Sequence, residues 1–259
     1  DSAAYSPDGC FIVTASGDGT ARIWDAATRE TLRILGGRDR NGLVLSAAYS
    51  PDGCCIVTAS SDRMARIWDA ATGELRHTLN GHSDWVTSAA YSPDGSFIVT
   101  ASRDQTARIW GATGGEEMPT LSGHRDWVTS AAYSPDGHFI VTASRDQTAR
   151  IWDAATGEAL RRLKGDRFTS ATYSPNGRFI ITNFDQMAHI WDADTGEEMF
   201  TLSGHSDLIT SAAYSPDGRF IVTASDDRTA RIWDAITGDV RRTLIAHNDG
   251  VNSATYSPN

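Results

Sequence analysis

Trp127 to Leu163 reads WVTSAAYSPDGHFIVTASRDQTARIWDAATGEALRRL, and the fold follows from how this stretch divides. Trp127 to Ser134 alternates loosely and ends at Pro135-Asp136-Gly137, where Pro presets φ and Gly is free to take positive φ. His138 to Ser144 (HFIVTAS) is rich in aromatic and β-branched residues, which suit a pleated strand, and it stops at Arg145-Asp146-Gln147. Thr148 to Asp153 (TARIWD) is a third strand, closed by Ala154-Ala155-Thr156-Gly157, and Glu158 to Leu163 is a fourth. Four short strands joined by tight turns, with no helical period, predict one antiparallel sheet.

The same unit recurs along the whole chain. YSPDG, or YSPN in two places, begins at Tyr5, Tyr49, Tyr91, Tyr133, Tyr173, Tyr214 and Tyr256, with spacings of 44, 42, 42, 40, 41 and 42 residues. Residues 81–110 and 123–152 agree at 28 of 30 positions, differing only at Ser83/Arg125 and Ser96/His138, so the repeat arose by duplication. A lone four-stranded sheet cannot hide two apolar faces from water. Stacking copies about an axis buries both, which predicts an all-β propeller; a straight stack of the same unit is the alternative. The blades fall at about 1–36, 43–80, 85–122, 127–164, 168–203 and 208–245, in one domain over 1–259. The segment 251–257 (VNSATYS) then starts a seventh copy with its first strand. Because both ends supply that same inner strand, they cannot complete one blade together. The expectation is a piece of a seven-bladed ring or longer array, the alternative being six closed blades and a surplus strand.

Composition narrows the function. The net charge is −10, from 33 acidic and 23 basic residues, against a nucleic-acid surface, which needs clustered cations. No apolar run is long enough for a membrane helix, and no signal peptide opens the chain. The first residue is Asp1, so the chain is expected to belong to a longer one. Of the basic residues 22 are Arg and only Lys164 is Lys, which suits forked, ordered contacts or simply reflects codon bias. Cys10, Cys54 and Cys55 form neither a disulfide framework nor a metal motif, and the odd number fits a reducing, cytoplasmic setting. No cofactor and no metal are expected: there is no phosphate-binding glycine loop, no nucleophile elbow and no metal-ligand spacing among the histidines.

At TARIWDA (Thr148 to Ala154) and at Gly123-His124 the chain resembles the WD-repeat family, and the likeness recurs six times. The resemblance implies a buried hydrogen-bond chain across each blade, from a third-strand Trp through a second-strand Thr and the Gly-His histidine to an Asp in the turn between second and third strands. Repeat three supplies His82, Thr100, Asp104 and Trp110, repeat four His124, Thr142, Asp146 and Trp152, and repeat six His205, Thr223, Asp227 and Trp233. Repeat one has Thr14, Asp18 and Trp24 without a histidine. Repeat two has Thr58, Asp62 and Trp68, with Gly37-Arg38 in place of Gly-His. Repeat five keeps Thr182, Asp185 and Trp191 but replaces Gly-His by Gly165-Asp166, and Gly111 replaces the Asp of Trp-Asp in repeat three. Unpartnered buried groups cost about 1–3 kcal/mol, so blades two and five are expected to be softer, with Asp166 repelling Asp185. The His–Asp–Thr grouping is read as structural rather than catalytic, because it repeats and its hydroxyl lies inside the sheet.

The same resemblance places partner binding on the face carrying the loops between blades and the second-to-third-strand turns. Two positions per repeat project there. One set reads Leu43, Trp85, Trp127, Arg167 and Leu208; the other reads Gly17, Ser61, Arg103, Arg145, Phe184 and Asp226. Six of the eight Trp belong to the third strands, leaving Trp85 and Trp127 on neighbouring blades, each with an Arg. Trp and Arg are enriched at interface hot spots, so a Trp/Arg patch on blades three and four is the candidate grip for an acidic or apolar peptide. The alternative is that duplication copied one framework Trp whose ring packs on the loop beneath. The expected function is a protein- or peptide-binding scaffold, not an enzyme. The near-identical copies also resemble propellers attached to bacterial signalling ATPases and kinases, which implies a ligand-sensing module as a second reading. A catalytic or glycan-binding propeller would need a unique polar cluster in one blade.

Overall fold

The computed structural model describes residues 2–36, 42–245 and 247–258. These contain six four-stranded sheets, each laid out in chain order and antiparallel throughout. Blade four runs Val128–Tyr133, Phe139–Ser144, Thr148–Asp153 and Ala159–Lys164, within a residue or two of the sequence reading. The protein is an all-β, six-bladed propeller. The tyrosines and prolines of the YSP segments, from Tyr5 and Pro7 round to Tyr214, line a single cavity of about 600 Å³ together with Pro258. Equivalent residues from all six blades can meet there only if the sheets surround a common axis.

Each blade contributes two apolar faces to the core. Val99, Ala101, Ala107, Ile109 and Leu121 of blade three pack against Val128, Ala131, Ile140 and Trp152 of blade four. The same pairing joins blades two and three, and blades one and two. Burying these faces is the main stabilising effect, at about 25 cal/mol per Å² of apolar surface. The innermost strands are also laced by side chains: Thr87 donates to the carbonyl of Val128 (2.7 Å), and the Ser88 hydroxyl accepts from Ala131 N–H (3.1 Å).

The repeated SPDG turn has a physical reason. The buried Ser92 hydroxyl donates to Asp94 (2.5 Å) and accepts from Phe97 N–H (2.9 Å), closing the loop between first and second strands. Gly95 completes it at φ 73°, a conformation that favours glycine.

Residues 251–258 carry no strand, contrary to the expectation for 251–257, because nothing among the described residues pairs along them as a second strand would. They nevertheless lie in the first-strand position beside blade six. Val251 N–H donates to Ser225 O (2.9 Å), and Ala254 N–H donates to the Ser211 hydroxyl (3.0 Å), as Ala131 does to Ser88.

Candidate partner-binding site

The loop face is supported from below by the buried hydrogen-bond chains. In blade three Trp110 Nε1–H donates to Thr100 Oγ1 (2.8 Å), and Thr100 lies 2.8 Å from His82 Nε2. His82 Nδ1 lies 2.8 Å from Asp104 Oδ2. A carboxylate only accepts, so Nδ1 carries the proton, Nε2 accepts from Thr100, and donation runs one way from Trp to Asp. Asp104 also accepts from Thr106 Oγ1 (2.6 Å) and Ser83 N–H (3.1 Å), which fixes the turn just below Arg103. Blades four and six repeat this with His124–Thr142–Asp146–Trp152 and His205–Thr223–Asp227–Trp233. For Asp146, burial raises the pKa, but hydrogen bonds from Thr148 and His124 outweigh it and hold the carboxyl at about 2.

Blades without the histidine solve the problem differently. In blade two Arg66 reaches Asp62 (2.6 Å), and in blade one Arg22 reaches Asp18 (2.8 Å). The expected Gly37-Arg38 substitution lies outside the described residues. In blade five Phe168, fully buried, packs edge-on against Trp191 and Phe184, and Phe184 stacks on His189 at 4.6 Å. Its ring occupies the space a Cβ at position 165 would need, which explains glycine there. His189 in turn binds Glu198 (2.6 Å). Asp166 accepts its neighbour's N–H at Arg167 (2.8 Å), and both Asp166 and Asp185 are exposed, so the anticipated carboxylate pair is not buried in this blade. Gly111 leaves room for the Glu116 carboxylate, which lies where the Asp side chain stands in other blades.

On the face itself, the two sets of projecting positions interleave into one arc. Arg103 lies over the ring of Trp85 at 3.8 Å and over that of Trp127 at 4.0 Å, so it is held between neighbouring blades. Arg145 lies over Trp127 at 4.4 Å. Trp85, Arg103 and Trp127 are half-buried and Arg145 is exposed. The tryptophan rings thus pack on arginines, an arrangement worth about 0.5–2 kcal/mol per contact. Leu43, Arg167, Leu208 and Asp226 are exposed at the corresponding places on other blades. Phe184 occupies its rung of the arc but commits its ring to Phe168 and His189.

Four residues of this architecture were not singled out in the sequence: Phe168, His189, Asn183 and Arg66. Asn183, fully buried, donates to Ile209 O (2.8 Å) and Thr169 Oγ1 (2.6 Å), tying blade five to blade six. The signal available was their clustering. Repeat five departs from the others at positions 166, 168, 183, 184 and 189 together.

Radial sheets of one repeating design, with loop tips exposed above internally satisfied polar chains, define a repeat-built propeller. Compared with models of known families, the chain matches the WD domain, G-beta repeat, over residues 1–25, 29–69, 73–111, 115–153, 157–192 and 196–234. It belongs to the WD-repeat family. No curated protein matches it.

Proposed function

We propose that the protein is a non-catalytic scaffold that holds a protein or peptide on the loop-bearing face of its propeller. WD-repeat propellers commonly serve as interaction scaffolds. The observation that carries the reading here is the Trp85–Arg103–Trp127–Arg145 stack, two blades wide. Large rigid side chains already ordered in the free protein lose little entropy on binding, which is how preorganisation raises affinity. The repeated His–Asp–Thr constellation is buried, occurs in three blades, and is spent on holding sheets together.

The test is partner capture with the Trp85→Ala/Trp127→Ala variant. Capture should fall at least tenfold while thermal unfolding and circular dichroism remain those of the parent protein. Undiminished capture by the folded variant overturns the assignment of this face.

The near-identity of repeats three and four favours a second reading, a ligand-sensing module within a larger signalling ATPase or kinase. The full reading frame from which the chain derives decides that question directly.

A further inference from the structure

The arginines of the stack use only their flat faces. Cation–π contact engages the π surface of a guanidinium and leaves its in-plane N–H groups unused by the contact. The backbone N–H of each donates to the carbonyl of its tryptophan (3.0 Å in both), but neither guanidinium makes a hydrogen bond or salt bridge among the described residues, and Arg103 Nε is buried without a partner. Other arginines of the chain do find acids: Arg66 with Asp62, Arg76 with Asp69, Arg108 with Glu117 and Arg241 with Asp234. The carboxylates beside the stack are engaged elsewhere. Asp84 and Asp126 each accept from the N–H of the tryptophan that follows (2.7 Å in both), and Asp104 and Asp146 belong to the buried chains. Burial lowers the Arg103 pKa, Asp84 raises it, and Arg145 lowers it again, so the two cations press on each other.

We infer that Arg103 and Arg145 form a double fork for two carboxylates placed two residues apart on an extended acidic peptide. This inference rests on the proposed function of the loop face and specifies its partner. Its basis is spacing. Arg103 and Arg145 both lie over the ring of Trp127, at 4.0 and 4.4 Å from its centroid. Their guanidinium carbons are therefore separated by no more than those two distances end to end, about 8 Å. By the repeat, Arg145 stands to Trp127 as Arg103 stands to Trp85, and we take the two cations to lie on opposite faces of that ring, at the upper end of this separation. An extended peptide rises about 3.4 Å per residue, and side chains at i and i+2 share a face about 7 Å apart. Glu-x-Glu or Asp-x-Asp therefore matches the two forks, whereas adjacent acids point to opposite faces. Each fork meets a carboxylate with paired N–H···O bonds that a lysine could not reproduce. Trp85 and Trp127 brace the forks, and the apolar edges of their rings are left for the intervening residue. A protein of net charge −10 repels an acidic peptide at long range, so recognition must come from this local geometry.

The test uses the whole chain and fluorescein-labelled synthetic peptides read by anisotropy: GSEGEGS, its isomer GSEEGGS, the neutral GSQGQGS, and GSGpSGGS carrying one phosphoserine. Expected are binding of GSEGEGS, at least fivefold weaker binding of GSEEGGS, and no binding of GSQGQGS. Arg103→Gln and Arg145→Gln should each weaken GSEGEGS at least tenfold. Arg103→Lys, which keeps the charge but loses the fork, should lose most of that affinity too, with each variant's melting temperature confirming its fold. Equal binding of GSEGEGS and GSQGQGS, of the two Glu isomers, or by the parent and the arginine variants overturns the inference, as does binding of the phosphoserine peptide alone. If the arginine variants bind GSEGEGS normally while Trp85→Ala/Trp127→Ala still abolishes partner capture, the acidic-peptide assignment falls and the scaffold reading stands. If capture is insensitive to all of them, both fall.

Discussion

At the scale of single residues, the same His–Asp pair that invites a catalytic reading is a pH-dependent strut. Burial lowers the pKa of His124 and His205, and although Asp146 and Asp227 pull it back up, the net shift is downward. An unfolded histidine takes up a proton near pH 6.5, while these folded ones resist. Between that pH and their own lower values the unfolded state therefore binds more protons, and stability falls as pH falls. Asp146, held at about 2, works in the same direction at lower pH: its contribution is present above the ordinary carboxylate range and is lost as pH drops toward 2. The expected outcome is a lower urea midpoint at pH 5 than at pH 7.5, with a smaller difference in His124→Asn. Equal midpoints for the parent protein at the two pH values would refute it. These struts were legible in the sequence because Gly-His, Thr, Asp and Trp recur at fixed spacing in three repeats. Arg66 was not, because an arginine at that position of the third strand is common to five of the six repeats and acquires its role only where no histidine competes for the aspartate.

At the scale of the element, a blade is a sheet whose stability depends on what covers each face. Leu35, Leu79, Leu121, Leu163 and Leu202 occupy one position of the fourth strand and are all at most 1% exposed, whereas Leu244 in blade six is 42% exposed. Their sequence contexts are alike, so burial and not propensity separates them. Leu163→Ala should cost about 2–5 kcal/mol, the usual range for a buried leucine, and Leu244→Ala well under half as much, measured by chemical denaturation. Similar losses at both positions would contradict this account of the core. Phe168→Ala belongs to the same experiment. If the aromatic cluster of blade five has replaced a histidine strut, that change should cost about 3–5 kcal/mol, where a blade softened by a missing histidine would have little left to lose. Strand boundaries were readable to within a residue or two because turn residues punctuate them. The state of 251–257 was not, since its β-rich composition says nothing about whether a pairing strand is present.

At the scale of the whole molecule, a propeller behaves as a one-dimensional array bent into a ring, in which each blade is stabilised mainly by its neighbours. Ile98, Ile140 and Ile180 in the middle blades are fully buried, while Ile12 of blade one is only half-buried; Trp24 is likewise half-buried where Trp110 and Trp152 are buried. On the opposite flank Ile232 is half-buried and Leu244 exposed, where their counterparts in blades three and four are covered. The outer face of blade one and the outer face of blade six are thus the least covered of the ring, and they carry the two halves of the contact that joins every other pair of blades. Local opening should follow this gradient, because the free energy of opening tracks the apolar surface an element shares with its surroundings. In native-state hydrogen exchange read by mass spectrometry, second and third strands of blades three and four (97–111 and 139–153) should be the last to exchange. The same strands of blades one and six (11–25 and 220–234) should exchange at least tenfold faster. Blade five should side with the middle blades, since Asn183 ties it to blade six and Phe168 ties it to blade four. Uniform exchange around the ring would mean that the blades open as one cooperative unit, and the nearest-neighbour account of this propeller would fail.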